Sequence, residues 1–292
     1  MQFAHSAFKP LRSVIVLLSI AQVGWAAAVD DATVERIHER AITIDAHLDL
    51  PDGFDPQAAR SDTDGQFDLA KLERGRLDVA TVALFAPPAK TTPQNIQEAR
   101  AHVDRQLATI KAFVAANPDR LTLVKSPAEI EQTAAAGKHA ILLSFLNALP
   151  LGDDLGLLSR YYREGVRVFG FVHASNNAFA DSSRPNGAFG DKPNEHGGLT
   201  PLGKRAVAEL NRLGIVIDVS QLTPAGVLQT LELSRAPVIA SHSALRSRVD
   251  VPRNLTDEEL KAIAKHVGVV HIVAFASYLK SDPNRRAQYQ RD

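Results

Sequence analysis

Seven short apolar segments, rich in valine and isoleucine, recur along the sequence and constrain its fold more than any other feature. They are 41–46, 79–85, 140–146, 166–172, 215–219, 237–241 and 268–274. Each segment is nearly continuous in apolar residues, which is typical of parallel strands that are buried on both faces. The sequence therefore predicts a parallel sheet at the centre of the molecule.

Helix-like segments separate these predicted strands. Pro93–Ala116 carries apolar residues at helical spacing, and four further segments are similar: 155–164, 201–213, 224–234 and 256–266. Thr200 and Thr223 each precede a proline, which is the pattern of an N-cap residue followed by proline in the first helical turn. Such alternation favours a parallel sheet with right-handed crossovers.

Two architectures share this alternation, namely a (β/α)8 TIM-type barrel and an open doubly wound sheet. The nucleotide-binding form of the open sheet lacks support, because no G-x-G-x-x-G motif follows the first strand and no Walker A sequence occurs. Polar residues instead collect after the strands, where barrel enzymes build their sites. A closed barrel needs eight strands, but LTLV at 121–124 is short and more typical of an edge strand. We therefore expect an α/β fold, a (β/α)8 TIM-type barrel lacking the eighth strand at the C-terminus.

Charge and cysteine content exclude several classes of function. The 33 basic and 33 acidic residues cancel, so nothing in the charge balance favours binding to nucleic acid or to an anionic membrane surface. There is no cysteine, which excludes disulfides, a lipid-modified N-terminal cysteine and thiolate metal sites. Any metal must therefore be bound by His, Asp or Glu.

The beginning of the chain has the features of a secretory signal peptide. Lys9 and Arg12 form a short basic region, 13–21 is an apolar run, and alanines at 26–28 supply small residues for cleavage. The apolar run is too short to span a bilayer comfortably. An uncleaved membrane anchor is the alternative.

These features predict a domain organisation and a location. We expect residues 1–28 to be a signal peptide and 29–292 to form a single barrel domain that is incomplete at its C-terminus. A secreted protein of this size without disulfides fits a bacterial periplasm better than an animal cell surface, so we expect secretion across the inner membrane.

Histidines and a carboxylate stand at the ends of three predicted strands. His47 and Asp49 end the first strand, His173 follows the fourth, and His242 follows the sixth. Side chains two positions apart on a strand point the same way, so His47 and Asp49 can bind one divalent metal. Each histidine alone is more often a hydrogen-bonded core or loop residue. Together they favour a site at the carboxyl-terminal rim of the barrel.

Five segments of the sequence resemble a known protein family. They are TIDAHLDL (43–50), the segment 149–183, GGLTPLGKRAVAELNRLGIVIDVS (197–220), LSRAPVIASHSALRS (233–247) and PRNLTDEEL (252–260). In these segments the chain resembles the membrane (renal-type) dipeptidases, which are zinc-dependent peptidases of the amidohydrolase superfamily. Such enzymes use two zinc ions in a (β/α)8 barrel. The resemblance implies that His47 and Asp49 hold the first metal and that His242 holds the second.

The resemblance also implies residues that contact the substrate. His173 would correspond to the histidine near the scissile carbonyl, where it would stabilise the tetrahedral oxyanion. Arg253 would correspond to the arginine that grips the substrate, a task that suits a guanidinium. Asn177, in the long Asn-, Gly- and Pro-rich segment 174–200, is a further expected substrate-binding residue.

Three departures from the family pattern affect the metal centre. Leu146 stands where the family has a glutamate that bridges both metals, and Gln221 stands where it has a second-metal histidine. The aspartate of the eighth strand has no counterpart. Since catalytic zinc needs about three protein ligands, we expect at most one Zn²⁺ per chain, shared by His47, Asp49 and His242.

Two functions remain open at the level of the sequence. The first is a metal-dependent hydrolase that cleaves the amide bond of dipeptides. The alternative is a non-catalytic or weakly active periplasmic relative that has lost the binuclear zinc site. Leu146, at a ligand position, favours this alternative. A truncated product is a third possibility. In either case the expected partner is a dipeptide-like small molecule, and open strand edges make a homo-oligomer possible.

Overall fold

The structure of the protein is a computed structural model that describes residues 30–51 and 53–280. The predicted signal peptide, residues 1–28, therefore lies outside the described residues. In the part of the chain that is described, no helix is both long enough and apolar enough to cross a membrane.

The chain divides into two compact units, Met1–Arg40 and Ala41–Asp292. The described part of the first unit contains helix α1 (Asp31–Arg40), a ten-residue helix with no buried residue. All the other elements belong to the second unit.

One parallel sheet forms the centre of the second unit. Its eight described strands are β1 (Ile44–Asp49), β2 (Val79–Phe85), β3 (Leu121–Val124), β4 (His139–Leu146), β5 (Val166–Gly170), β6 (Val216–Asp218), β7 (Ile239–Ser243) and β8 (Val269–Ile272). Their order is β1-β2-β4-β5-β6-β7-β8, while β3 pairs only with β4, outside this path. The seven-strand path is a nearly closed barrel with an unsealed seam between β1 and β8. This confirms the predicted fold class and the predicted place of 121–124 as a side strand.

Burial follows the position of each strand in the barrel. Six of the seven residues of β2 are buried, as expected for a strand covered on both faces. The strands at the seam are more exposed: Ile44 of β1 is 48% exposed, and Val269 and Ile272 of β8 are 53% and 54% exposed. Apolar side chains of β1 and β8 therefore remain partly exposed in the described fold.

Helices alternate with the strands and cover the barrel. They are α2 (Leu69–Arg74), α3 (Pro93–Ala115), α4 (Pro127–Ala135), α5 (Gly156–Glu164), α6 (Pro201–Leu213), α7 (Pro224–Leu233), α8 (Asp257–Lys265) and the short α9 (Ala276–Leu279). Thr200 and Thr223 cap α6 and α7 as predicted, each accepting a hydrogen bond from a main-chain N–H in the first turn. Thr256 caps α8 in a reciprocal capping box with Glu259.

The long segment 174–200 folds back over the strand ends, held by two carboxylates. Asp181 is fully buried and accepts hydrogen bonds from the main-chain N–H groups of His196 and Gly198, at 2.9 and 3.0 Å. Asp191 accepts three more hydrogen bonds from groups of the same segment. Internal bonding of this kind gives the segment a defined path, and that path brings it to the rim where the candidate site lies.

Candidate active site at the carboxyl ends of the strands

Two histidines from different strands meet at the carboxyl-terminal rim. His47 on β1 and His242 on β7 stack face to face, with ring centroids 3.8 Å apart and planes 11° apart. His47 Nε2 also lies 3.4 Å from Asp49 Oδ1. The β1 pairing shifts register between Asp45 and Leu48, and such a bulge re-aims side chains. The structure thus brings together the three residues expected to bind metal.

The electrostatics of Asp49 keep it ionised. Burial alone would raise the pKa of Asp49, but the hydrogen bond from His47 and the electrostatic interactions with the imidazoles of His47 and His173 outweigh burial and lower that pKa below its ordinary value. Asp49 is therefore an anionic acceptor at neutral pH, which suits a metal ligand.

His173 is held as a neutral imidazole. It follows β5 and packs against the ring of Phe85, with centroids 4.6 Å apart. Burial, followed by the positive charge of Arg184, lowers the pKa of His173 to about 3. Arg184 Nη2 lies 3.4 Å from His173 Nε2. Because a guanidinium carries only donors, Nε2 must accept and the ring proton must reside on Nδ1.

We expect the folded protein to lose stability as the pH falls below about 6.5. His173 has a pKa of about 3 in the folded chain, whereas an unfolded histidine takes up its proton near pH 6.5. The stabilisation is therefore present above about pH 6.5 and is lost as the pH falls toward 3. Between pH 7 and 5, urea unfolding of the metal-free protein should show a loss about 1–2 kcal/mol larger than that of His173→Gln. Equal losses would contradict this assignment.

Gln221 lies between Arg184 and His242. Its Oε1 accepts a hydrogen bond from Arg184 Nη2 at 3.0 Å, and its Nε2 lies 3.2 Å from His242 Nε2. Gln221 is 3% exposed and has a φ of 73°. A left-handed backbone costs a residue with a Cβ roughly 1–2 kcal/mol, and strain of this kind clusters at functional sites.

The second ring nitrogen of His242 also has a hydrogen-bond partner. Its Nδ1 lies 2.7 Å from the Ser241 hydroxyl, which donates to the buried carboxylate of Asp218. Burial, together with the charges of His47 and Arg253, holds the pKa of His242 well below its ordinary value. His242 is thus a neutral imidazole with a partner at each ring nitrogen.

Leu146 gives the rim an apolar floor. It ends β4, is 3% exposed, and its Cδ1 lies 3.1 Å from the position that a Cβ would take at Gly170 of β5. Because Gly170 has no side chain, the leucine side chain can pack against its main chain. Leu146 itself offers no donor atom to a metal ion, as the sequence indicates.

The two expected substrate-binding residues besides His173 are both buried. Arg253 is 3% exposed, donates to Ser243 Oγ at 3.0 Å and also donates to the main-chain carbonyl of His242. Asn177 donates to Asn147 Oδ1 at 3.1 Å and to a main-chain carbonyl at 2.7 Å. In the structure, then, both side chains hold rim segments in place.

The donors at the rim suit one divalent metal ion but are not arranged around one. Two imidazoles and a carboxylate form the ligand set that a catalytic zinc requires. Yet within the described residues no group of three or more His, Asp or Glu side chains is placed to hold a metal ion. His242 Nε2 faces the Gln221 amide, and His47 Nε2 faces Asp49. A second ion does not fit, because leucine has no donor atom and an amide is a neutral, poor ligand.

Arg184 is the rim residue that sequence reasoning missed. It lies in the segment 174–200, among Asn, Gly and Pro residues where no period or strand end marks it. Its contact with Gln221 joins positions 37 apart in the chain. A basic residue in a long polar segment is usually solvated, so only the fold reveals this contact.

Comparison with known sequences identifies similar proteins along most of the chain. The family model described as membrane dipeptidase (peptidase family M19) matches residues 31–290. Dipeptidase verJ of Clonostachys rogersoniana is 30% identical over 244 residues, which cover 78% of this chain and 61% of that protein. Dipeptidase 3 of Mus musculus is 30% identical over 257 residues, which cover 81% of this chain and 49% of that protein. The chain thus spans about half to three-fifths of the length of these relatives.

Solved structures show the same similarity. The crystal structure of the probable dipeptidase PvdM from Pseudomonas aeruginosa has a TM-score of 0.82 and 41% identity, covering 89% of this chain and 68% of that one. The metallo peptidase from Rhodobacter sphaeroides, liganded with a phosphinate mimic of the dipeptide L-Ala-D-Ala, has a TM-score of 0.69 and 25% identity, covering 82% of this chain and 75% of that one.

Proposed function

This chain belongs to the membrane dipeptidase family, peptidase family M19, and on that premise we propose that it hydrolyses the amide bond of dipeptides. One observation carries the proposal: His47 and Asp49 of β1 meet His242 of β7, which comes from a distant part of the sequence, at one rim of the barrel. The names of the similar proteins and the dipeptide mimic bound to one of them support this substrate class.

In the proposed enzyme, His47, Asp49 and His242 would hold one zinc ion, although in the structure these three side chains are close together without being arranged around an ion. When bound, a zinc ion polarises the amide carbonyl and lowers the pKa of water. The protein residues supply the ligands and the charge around them: Asp49 is anionic, and His242 is neutral with its Nδ1 against Ser241. Leu146 is buried and would give the floor of the site an apolar surface.

Substrate orientation is assigned to His173, Arg253 and Asn177. His173 is neutral and lies beside the Arg184 guanidinium, so this part of the rim is positively charged and suits the developing oxyanion. Arg253 would share its guanidinium between the His242 carbonyl and a substrate carboxylate. Asn177 lines an open cavity of about 290 Å³ together with Lys90 and His196, a volume at the lower end of small-molecule sites, and the lining of this cavity does not include the proposed metal ligands.

Hydrolysis of simple dipeptides by the purified protein tests this function. We expect release of free amino acids from a panel of L,L- and L,D-dipeptides, loss of that activity on chelation, and recovery on addition of one equivalent of zinc. Elemental analysis should find at most one tightly bound zinc per chain, because the second set of ligands is missing. Two tightly bound ions would refute the single-ion site, and a zinc-loaded protein inactive on every dipeptide would favour a non-catalytic relative.

We further propose that the protein is exported to the periplasm. The proposal rests on Lys9, Arg12, the apolar run 13–21 and the alanines at 26–28, together with the absence of cysteine. N-terminal sequencing of protein from the periplasmic fraction should begin near Val29. Recovery of chains with an intact N-terminus from the membrane fraction would favour an anchor instead.

A further inference from the structure

We propose that Arg184 is a positioning residue which, through Gln221, caps the Nε2 atom of His242 and weakens metal binding at the rim. This inference rests on the proposed metal site. Its starting point is a line of contacts in which Arg184 Nη2 donates to Gln221 Oε1 at 3.0 Å, and Gln221 Nε2 lies 3.2 Å from His242 Nε2.

The guanidinium of Arg184 determines the direction of both hydrogen bonds of Gln221. A guanidinium has donors and no acceptor, so the atom of Gln221 that faces it must be the amide oxygen. The amide NH₂ then faces His242 Nε2, which must accept and cannot carry a proton. The ring proton of His242 is left on Nδ1, where it donates to the Ser241 hydroxyl. Ser241 is free to accept there, because its own proton is donated to Asp218.

The main chain holds Arg184 and Gln221 in register with each other. Ser183 N–H donates to the Gln221 carbonyl at 2.8 Å, and Ser182 forms an antiparallel bridge with Leu222. Arg184 N–H donates to Ser182 Oγ at 3.0 Å. The two segments that supply Arg184 and Gln221 are therefore hydrogen-bonded to each other directly beside these residues, and Gln221 has its positive φ in that arrangement.

The cap competes directly with a metal ion for one lone pair. Only the unprotonated Nε2 of His242 could bind an ion on the rim side, since Nδ1 faces Ser241. An ion can use that nitrogen only after the Gln221 amide has moved away, and Arg184 holds the amide in place. One neutral hydrogen bond opposing the ion corresponds to a roughly tenfold weaker affinity.

Cobalt titration of the metal-free protein, followed by its visible d–d absorption, tests the cap without any assay of hydrolysis. We expect Arg184→Met to bind Co²⁺ about tenfold more tightly than the parent protein. Gln221→Gly, which removes the amide and accepts the positive φ without strain, should give a similar gain. In the double variant the two gains should not add, because Arg184 acts through Gln221. Arg205→Met, at an exposed position of α6, is the matched control and should leave the affinity unchanged.

Each other outcome overturns a stated part. If Arg184→Met tightens binding equally in the Gln221→Gly background, Arg184 acts by direct charge repulsion and the cap is refuted. If the parent binds Co²⁺ and Arg184→Met leaves the affinity unchanged, the cap fails while the metal site stands. If no variant binds Co²⁺, the metal site and the cap fail together.

A second measurement on the metal-free protein reads the hydrogen-bond directions themselves. The ¹⁵N chemical shifts of the histidine rings should show His242 with its proton on Nδ1 in the parent, the tautomer that the Gln221 amide and the Ser241–Asp218 contact both require. A parent His242 with its proton on Nε2 would refute the proposal.

Discussion

Replacing His47 with alanine is expected to reduce dipeptide hydrolysis by about 100-fold or more, measured as kcat/KM with zinc in excess. His47 lies against both of the other proposed ligands, with its Nε2 3.4 Å from Asp49 Oδ1 and its ring stacked on that of His242. Even the outer partners of metal ligands cost 10–100-fold when removed. Loss of one ligand from a set of three should therefore cost at least as much.

His102→Ala is the matched control, because His102 lies on α3. It removes the same side chain from a helix while leaving the proposed ligands unchanged, and we expect its kcat/KM to stay within about twofold of the parent. Hydrolysis that survives His47→Ala at the parental rate would show that the reaction does not depend on the proposed metal site.

Replacing Gly203 with alanine should lower the free energy of unfolding by about 3 kcal/mol. A Cβ at Gly203 would lie 2.1 Å from the carbonyl oxygen of Phe179 and 3.1 Å from its carbonyl carbon. The contact is with backbone, and the same oxygen accepts a hydrogen bond from the N–H of Thr200, the cap of α6. The methyl group would therefore have to separate the helix from the segment that covers the rim. Chemical denaturation at neutral pH measures the change.

Gly187→Ala serves as the control for this substitution. A Cβ at Gly187 would meet no atom within 4 Å, so we expect its stability to stay within about 0.5 kcal/mol of the parent. If Gly203→Ala were as stable as Gly187→Ala, the close approach of α6 to Phe179 would be wrong.

The strands and the main helices could be predicted from local pattern. A run such as VATVALF at 79–85 can hardly be other than a buried strand, and β2 has those bounds. Thr200 followed by Pro201 marks the start of α6 because capping is a local interaction. By contrast, α4 (Pro127–Ala135) escaped the sequence reasoning, since only one of its nine residues is buried and its apolar pattern is weak.

The composition of the rim could be predicted, but its hydrogen bonding could not. His47, Asp49 and His242 stand at strand ends, and parallel strands bring such ends together. The contact between Arg184 and Gln221, in contrast, depends on the path of a 27-residue segment that no pattern specifies. The burial of Arg253 beneath His242 likewise depends on the turn that follows β7.

Because the seam between β1 and β8 is not closed, one side of the rim is more flexible than the other. His173 and Gln221 follow β5 and β6, interior strands bonded on both sides. His47 and Asp49 belong to β1, which among the described strands has β2 as its only partner in the sheet. Strands at a margin fray at lower free energy than interior ones. His47 and Asp49 on β1 can therefore move more readily than His173 and Gln221 on the opposite side of the rim. An ion that entered the site would form its contacts with His47 and Asp49 last, and these contacts would order β1.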